Sequence, residues 1–265
     1  MSKLSIMFFI LFVLAHKMLA GWIVVESTKE YGQMETYKST LFIQKNMIKS
    51  VEQDRIIIFD LDQWKLTLIS QENKGYWIGT PAEYQELIKK YTLDYLEKEI
   101  INADEEEKLF LQALYEDMKL EIKLDSDAIT FIGELPVEIV MTDKSERLLG
   151  YRVNQFFVYS DGIQVEEVWL TREISLSDEY DFGKFRAFID DMSLVNFFQD
   201  YRSSEKYVHL MKSGLPIRTI RESDNGSISV TDVISAEKIT IPGSEFHPPP
   251  QYKPVSLQEL GFVFN

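Results

Sequence analysis

Side chains that could catalyse a reaction or hold a metal are few in this sequence and lie far apart. The chain has no cysteine and three histidines, two of them beyond the N-terminal segment. His209 lies on a predicted helix and His247 precedes a run of prolines, and neither has further ligands at the spacing that a metal site needs. No HExxH, GxSxG or Gly-rich phosphate motif is present. The sequence therefore predicts no metal site and no cofactor.

Two pairs of aspartates have a D-x-D spacing that can hold Ca²⁺ or Mg²⁺ through carboxylate oxygens. They are Asp60 with Asp62 and Asp125 with Asp127. Each pair falls between predicted elements, where aspartate is favoured because its side chain caps the turn backbone. No further acidic ligand follows at EF-hand spacing, which favours the turn interpretation. We therefore expect no enzyme, although a hydrolase with unrecognised acids stays open as a third alternative.

Aromatic side chains are the set most suggestive of a binding site. Three tryptophans and a phenylalanine fall on predicted strands, and two phenylalanines and a methionine fall on a later predicted helix. If the sheet is concave, some of them line its hollow. Such side chains line ligand cavities, but they also fill ordinary cores, so both interpretations stay open. The candidate cavity-lining residues are Trp64, Trp77, Phe157, Trp169, Phe185, Phe188 and Met192.

The elements that would position these residues begin with an antiparallel meander. Between residues 21 and 79, short β-branched and aromatic runs alternate with turn sequences, and one predicted strand covers 64–70. Thr80-Pro-Ala-Glu83 is then a capping box with proline at the first helical position. It predicts a helical insertion at about 81–122, with a second helix starting near Asn102 or Asp104.

The β pattern resumes near residue 134. Asp161-Gly162 is typical of a two-residue hairpin turn between two strands. A second helical segment is predicted at about 181–213, with Gly214 as the residue just after the helix. A final hairpin with an Asn225-Gly226 turn completes the pattern. We therefore expect an α+β fold, mainly antiparallel β, in a single domain over 21–265.

The first twenty residues have the parts of a signal peptide in the required order. Lys3 gives a positive start, residues 6–14 are uninterruptedly apolar, and small residues follow. Cleavage after Ala20 is our first choice and cleavage after Ala15 the alternative. Because the chain has no cysteine, it cannot be lipidated at an N-terminal cysteine, so we expect no membrane anchor after cleavage. The predicted location is the periplasm of a Gram-negative bacterium, with secretion as the alternative.

The net charge of the chain is −15, and loss of Lys3 and Lys17 with the leader makes it −17. A chain this acidic is repelled by nucleic acid and by anionic lipid head groups. Nucleic acid is therefore excluded as a predicted partner.

Four segments, taken together, resemble an uncharacterised bacterial exported family with a fold like that of LolA, the periplasmic lipoprotein carrier. The resemblance implies a strongly curved antiparallel sheet, or incomplete β-barrel, around a hydrophobic cavity, with helices covering its open side. Carriers of this fold bind acyl chains in that cavity, but the family supplies no known binding residue to transfer. The segments are FDLDQWKLTLISQENKGYWIGTPAEY (59–84), GYRVNQFFVYSDGIQVEEVWLTREI (150–174), LMKSGLPIRT (210–219) and ITIPGSEFHPPPQYK (239–253).

These observations predict an exported, non-enzymatic binding protein of the bacterial envelope. Its expected hydrophobic ligand is a lipid or a lipoprotein acyl chain held in the cavity. The alternative is an envelope interaction module whose core is filled by its own side chains, and which binds a protein partner through its acidic surface or proline-rich tail.

Overall fold

The computed structural model describes residues 20–31, 36–123, 136–192, 201–222 and 226–262 of the 265-residue chain. Nearly all of the predicted leader lies outside these ranges, as do the Asp125 and Asp127 pair and Asn225 of the predicted last turn.

The first half of the sheet is an antiparallel meander, as the sequence predicts. Its strands are joined by tight turns in which some non-glycine residues take left-handed backbone angles, among them Asn46 (φ 60°) and Trp64 (φ 56°). Trp64 therefore lies in a turn and not on the predicted strand 64–70, because the alternating pattern runs one residue into that turn. The strands are β1 (Ala20–Glu30), β2 (Thr36–Gln44), β3 (Met47–Glu52), β4 (Arg55–Asp60), β5 (Lys65–Ser70) and β6 (Gly75–Gly79).

The first helical insertion is a helix pair, α1 (Pro81–Asn102) and α2 (Glu105–Lys123). The predicted capping box starts α1: the Glu83 amide donates to Thr80 Oγ1 at 3.2 Å, and the Thr80 amide donates to the Glu83 carboxylate at 2.7 Å. The Asp104 carboxylate accepts hydrogen bonds from two amides in the first turn of α2. Of the two starts predicted for the second helix, near Asn102 or Asp104, the structure has the one at Asp104. Among the described elements, α2 packs mainly against α1.

The second half of the chain adds more strands and two further helices. Asp161 and Gly162 both have positive φ, which confirms the predicted hairpin turn. Within the predicted helical segment at 181–213, the described residues form two helices and a short 3₁₀ turn at Tyr201–Ser203, and residues 193–200 lie outside the described ranges. The elements are β7 (Val137–Leu148), β8 (Tyr151–Ser160), β9 (Ile163–Thr171), α3 (Phe182–Met192), α4 (Glu205–Lys212), β10 (Leu215–Glu222), β11 (Ile228–Thr240) and β12 (Lys253–Pro254).

All twelve strands form one sheet in the order β12-β6-β5-β4-β3-β2-β1-β11-β10-β9-β8-β7. The two halves meet where β1 pairs antiparallel with β11, from Ala20 opposite Thr240 to Glu30 opposite Ser229. β12 and β7 form the two edges, so the sheet is curled but open and is not a closed barrel. The predicted α+β class, with a mainly antiparallel curved sheet and helices over it, is confirmed.

Three apolar clusters pack the remaining elements onto the sheet. Cluster 1 contains strand side chains together with those of α1 and α3. Cluster 2 joins β7, β8 and β9 to α4, and cluster 3 joins β4 and β5 to the 3₁₀ turn Gly243–Phe246. Their most buried members include Val24, Leu66, Ile174, Phe188 and Leu257 in cluster 1, Val158, Val168 and Leu170 in cluster 2, and Ile58 and Ile69 in cluster 3.

A partly buried ion pair links β9 to β10. Glu166 is 1% exposed, and Arg221 Nε donates to its Oε1 at 2.6 Å. The Tyr201 hydroxyl donates to Glu166 Oε2 at 3.3 Å. Burial alone would lower the pKa of Arg221, but the charge of Glu166, the neighbouring Tyr207 and Tyr201 and the hydrogen bond to Glu166 together outweigh burial and raise that pKa well above the ordinary range. The arginine therefore stays charged and compensates the buried carboxylate, which is a structural role.

Glu26 on β1 is an acid whose pKa burial changes. Burial raises the pKa of its carboxyl group, and the hydrogen bond from Ser39 Oγ and the charge of Arg221 lower it by less. The native state therefore binds a proton at Glu26 more readily than the unfolded state does. Ionisation of this carboxyl group consequently destabilises the fold.

We predict that Glu26→Gln makes the protein more stable than wild type at pH 7. The contribution of Glu26 to the free energy of unfolding is greatest at low pH. It falls as pH rises from the ordinary glutamate pKa, about 4.3, through the raised pKa of the native state. The advantage of the variant should therefore shrink as pH is lowered and vanish near pH 4. Urea unfolding between pH 4 and 8 measures it, with Glu138→Gln at an exposed position of β7 as the control. A wild-type pH profile for Glu26→Gln would contradict the prediction.

Gly214 lies just after α4, at the position predicted from the sequence, because Ser213 is the C-cap residue. A Cβ added to Gly214 would lie 1.9 Å from the backbone carbonyl oxygen of Thr171. Its φ is not among the positive values. The close approach of α4 to the end of β9, and not a left-handed backbone, therefore requires glycine here.

We expect Gly214→Ala to lower the free energy of unfolding by about 2–4 kcal/mol, because the backbone of β9 or α4 must move to admit the methyl group. Gly243→Ala is the matched control, since an added Cβ there meets nothing within 4 Å. Chemical denaturation of both variants measures the difference. Equal stability of the two would show that the contact at Thr171 is easily relieved.

Candidate functional site

The candidate site is the interface between the sheet and α3. Asp181 precedes this helix, and its carboxylate accepts from the Gly183 amide at 2.7 Å and the Lys184 amide at 3.2 Å. The apolar residues of α3 then recur at helical spacing, so that Phe185, Phe188 and Met192 all pack into cluster 1. The cap thus fixes where the helix starts, and the spacing turns one face to the sheet.

Aromatic rings from α3 and the sheet contact one another in this interface. Phe188 is fully buried, with its ring centroid 5.7 Å from that of Phe59 and 5.1 Å from that of Trp64. Phe185 lies edge-on to Phe59 at 5.6 Å and to Tyr180 at 5.9 Å. Edge-to-face contacts of this kind are favourable beyond the area that they bury. The rings fix how α3 sits over β4.

Polar contacts hold α3 to the turns beside it. Lys184 Nζ lies 2.6 Å from Asp62 Oδ1, and their side chains are 45% and 57% exposed. This hydrogen bond lowers the pKa of Asp62 and raises that of Lys184. Asn46 accepts from the Asp181 amide at 2.8 Å, and Trp64 Nε1 donates to Asp191 at 3.0 Å. We call these three contacts the α3 latch.

The Asp60 and Asp62 pair has the role that its turn position predicts. Asp60 Oδ1 accepts from the amides of Asp62 and Gln63 at 3.1 and 2.8 Å, so it caps the turn. Asp62 uses its carboxylate in the α3 latch. The described residues contain no group of three or more His, Cys, Asp or Glu side chains arranged to hold a metal ion.

The two other tryptophans of the candidate set lie at different parts of cluster 1. Trp77 on β6 packs against Tyr84 of α1, with ring centroids 6.2 Å apart. A Cβ on Gly79 would lie 2.3 Å from the Trp77 ring, so that glycine makes room for the indole. Trp169 on β9 is 9% exposed, and its Nε1 donates to Glu167 at 2.6 Å.

Cluster 1 therefore brings together six of the seven candidate residues. Phe157 is the exception: it lies half-buried on β8 and is not grouped with any of the three clusters that the described residues form. Sequence reasoning left several cluster 1 residues out of the candidate set, although the helical spacing along α1 signalled some of them. These residues are Phe59, Tyr84, Leu87, Tyr91 and Tyr180.

Three surface pockets of the described chain are lined largely by polar side chains, and the first of them includes Asn46 and Asp181 of the α3 latch. One of about 500 Å³ lies beside the start of α3, one of about 400 Å³ beside the β3–β4 turn, and one of about 600 Å³ between β7 and α4. The last contains His209 together with Glu138 and Arg172. Phe188, which is fully buried in cluster 1, lines none of these three pockets.

No described helix is both long enough and apolar enough to cross a membrane. No curated protein matches the chain.

Several solved structures have a similar course of the chain at low identity. PNGF-II matches at 11% identity and a TM-score of 0.37, over 92% of this chain and 32% of that one. A Pseudomonas aeruginosa MucA/MucB complex matches at 7% identity and a TM-score of 0.39, over 91% of this chain and 59% of that one. A LolA superfamily protein from Nitrosomonas europaea matches at 10% identity and a TM-score of 0.30, over 87% and 90%. This chain thus spans about a third of PNGF-II and three fifths of the matched chain in the MucA/MucB complex.

A family model matches residues 96–252, which is more than half of the chain. The matched region runs from the last turns of α1 to the segment before β12. The predicted membership of an uncharacterised family is thereby confirmed. The chain belongs to the family described as Domain of unknown function (DUF4412).

Proposed function

We propose that this protein is an exported, non-enzymatic binding protein that holds a lipid or lipoprotein acyl chain between its sheet and α3. One observation carries the proposal: the short helix α3 covers Phe59 and Trp64 of cluster 1 and is latched by solvent-exposed polar contacts. The seven candidate residues are proposed as the lining of this site, with Phe157 at its outer margin.

Because α3 is short, it can be displaced from cluster 1. It has eleven residues, and a helix of that length is marginally stable on its own in water. Its position therefore depends on cluster 1, on its packing against α1 and on the α3 latch. An exposed ion pair such as that of Asp62 and Lys184 contributes little to stability, so displacing the helix requires mainly the exchange of one apolar contact for another.

An acyl chain is the ligand that suits the surface beneath α3. If α3 moved aside, the rings of Phe59 and Trp64 and the apolar strand residues around them would be uncovered. Burial of apolar area is worth about 25 cal/mol per Å², so a long hydrocarbon chain could replace the contacts that Phe185 and Phe188 give up. A polar ligand could not do so.

A second candidate function is an envelope interaction module with a self-filled core. The burial of Phe188 and Trp169, at 0% and 9% exposure, favours it. In that case α3 stays in place, cluster 1 is an ordinary core and the protein binds partners only through its surface.

The location is part of the proposal. The N-terminal sequence, with Lys3 before the apolar run 6–14, supports export to the periplasm of a Gram-negative bacterium.

The decisive experiment cross-links α3 to the neighbouring turn, so that the helix cannot move away from cluster 1. The chain has no cysteine, so Asp62→Cys with Lys184→Cys gives the only two thiols, which a short bismaleimide can bridge. We expect the bridge to weaken binding of a fluorescent fatty acid by at least about tenfold, because the ligand needs α3 to move. Fluorescence titration measures it, and native mass spectrometry of protein purified gently from an envelope fraction should show a bound lipid.

Arg218→Cys with Asp232→Cys is the matched control. This ion pair is also 2.6 Å long, but it joins the neighbouring strands β10 and β11 and leaves α3 free. Its bridged form should bind the probe like wild type. Absence of both bound lipid and saturable probe binding would refute the proposal and favour the interaction module. Equal affinity with and without the α3 bridge would place the ligand elsewhere.

A further inference from the structure

The helix α2 has an apolar face that α1 does not cover. Leu109 and Phe110 are 70% and 69% exposed, and Leu114 is 39% exposed. Phe110 and Leu114 are four residues apart and lie on the same side of the helix, and Leu109 lies on the adjoining side. The side of α2 that faces α1 is a different one, since Tyr115 donates a hydrogen bond to Glu97 of α1. We call Leu109, Phe110 and Leu114 the α2 patch.

Exposed side chains of this size in one group mark an interaction surface. Ile101, at the end of α1, is 78% exposed and adds to the apolar surface of the helix pair. Among the described elements α2 packs mainly on α1, so the patch is not needed to hold α2 to the sheet. Within the described part of the chain, its residues are exposed to solvent and can contact another molecule.

Acidic residues bracket the α2 patch along the helix. Glu106 precedes Phe110 by one turn and Asp117 follows Leu114 by about one turn, so all four lie along one side of the helix. Glu105 and Glu116 flank the same row. Asp117 is eleven positions after Glu106, which corresponds to about 16 Å along the helix.

The negative charge around the α2 patch favours a positively charged partner. Residues 97–119 contain eight acidic and three basic side chains. A surface of this charge repels nucleic acid, anionic membranes and a second copy of the same helix. It attracts a segment with positive charges.

We propose that the α2 patch docks a basic amphipathic protein segment. The segment presents bulky apolar side chains to Leu109, Phe110 and Leu114. Its lysines or arginines lie about 16 Å apart, where they meet the acidic ends of the row. This site is separate from the one beneath α3, and it stands whether or not a lipid binds there.

The test uses two labelled synthetic helical peptides with the full-length mature chain. One peptide has a leucine-rich centre bracketed by lysine pairs eleven residues apart, and the second has glutamate in place of every lysine. Fluorescence anisotropy should show saturable binding of the lysine peptide, at least about tenfold tighter than that of the glutamate peptide, and weakened by salt.

Variants separate the patch from the general acidity of the protein. Leu109→Ser with Phe110→Ser leaves the charge unchanged and should weaken binding of the lysine peptide about tenfold or more. Ile163→Ser is the matched control, because Ile163 is 69% exposed in the β8–β9 hairpin, and it should have no effect. Glu116→Gln with Asp117→Asn should weaken binding more than Glu138→Gln with Asp143→Asn, which removes equal charge from β7.

Circular dichroism checks that the variants keep their helices, and Leu114→Ser provides a second variant if the double one unfolds. The proposal is overturned if both peptides bind alike, or if Ile163→Ser weakens binding as much as the patch variant. It is also overturned if the patch variant instead abolishes self-association in sedimentation, or binding to phosphatidylglycerol vesicles. Those outcomes would identify a second copy or a membrane as the occupant.

Discussion

The antiparallel pairing of β1 with β11 is the interaction on which the rest of the structure depends. It joins the N-terminal meander to the C-terminal strands, and without it each half would present a long unpaired edge. The bulge between Val25 and Glu26 shifts the register, so that both Val24 of β1 and Val233 of β11 reach cluster 1. The two halves therefore form one continuous sheet because residues far apart in the sequence pair.

The helices differ in how much apolar surface they bury against this sheet. α1, α3 and α4 each bury side chains in cluster 1 or cluster 2, and their positions follow from that burial. α2 buries its inner side against α1 and leaves Leu109 and Phe110 to solvent. One part of the protein is thus a closed apolar interface beneath a short helix, and another is an open apolar surface set among acids. The two can serve different molecules.

Local sequence signals predicted the local structure well. The capping box at Thr80 and the Asp161-Gly162 turn are decided by residues within a few positions, and the structure has both. Contacts between distant residues could not be predicted in this way: Lys184 meets Asp62 across 122 residues. The position of Phe157 could not be predicted either. The alternation of side chains along β8 shows which side of the strand a residue faces, but it does not show where cluster 1 ends. Val153 of that strand reaches cluster 1, and Phe157 lies about 13 Å further along.

The placement of the indoles has a spectroscopic consequence. All four tryptophans of the chain, Trp22, Trp64, Trp77 and Trp169, belong to cluster 1 or pack against it, and α2 has none. Intrinsic emission therefore reports on the polarity of one region of the protein. Opening of that region to water would shift the emission to longer wavelength, while an event confined to α2 would leave it unchanged. Tryptophan fluorescence of the native protein can thus monitor cluster 1, whereas the α2 patch needs an external label.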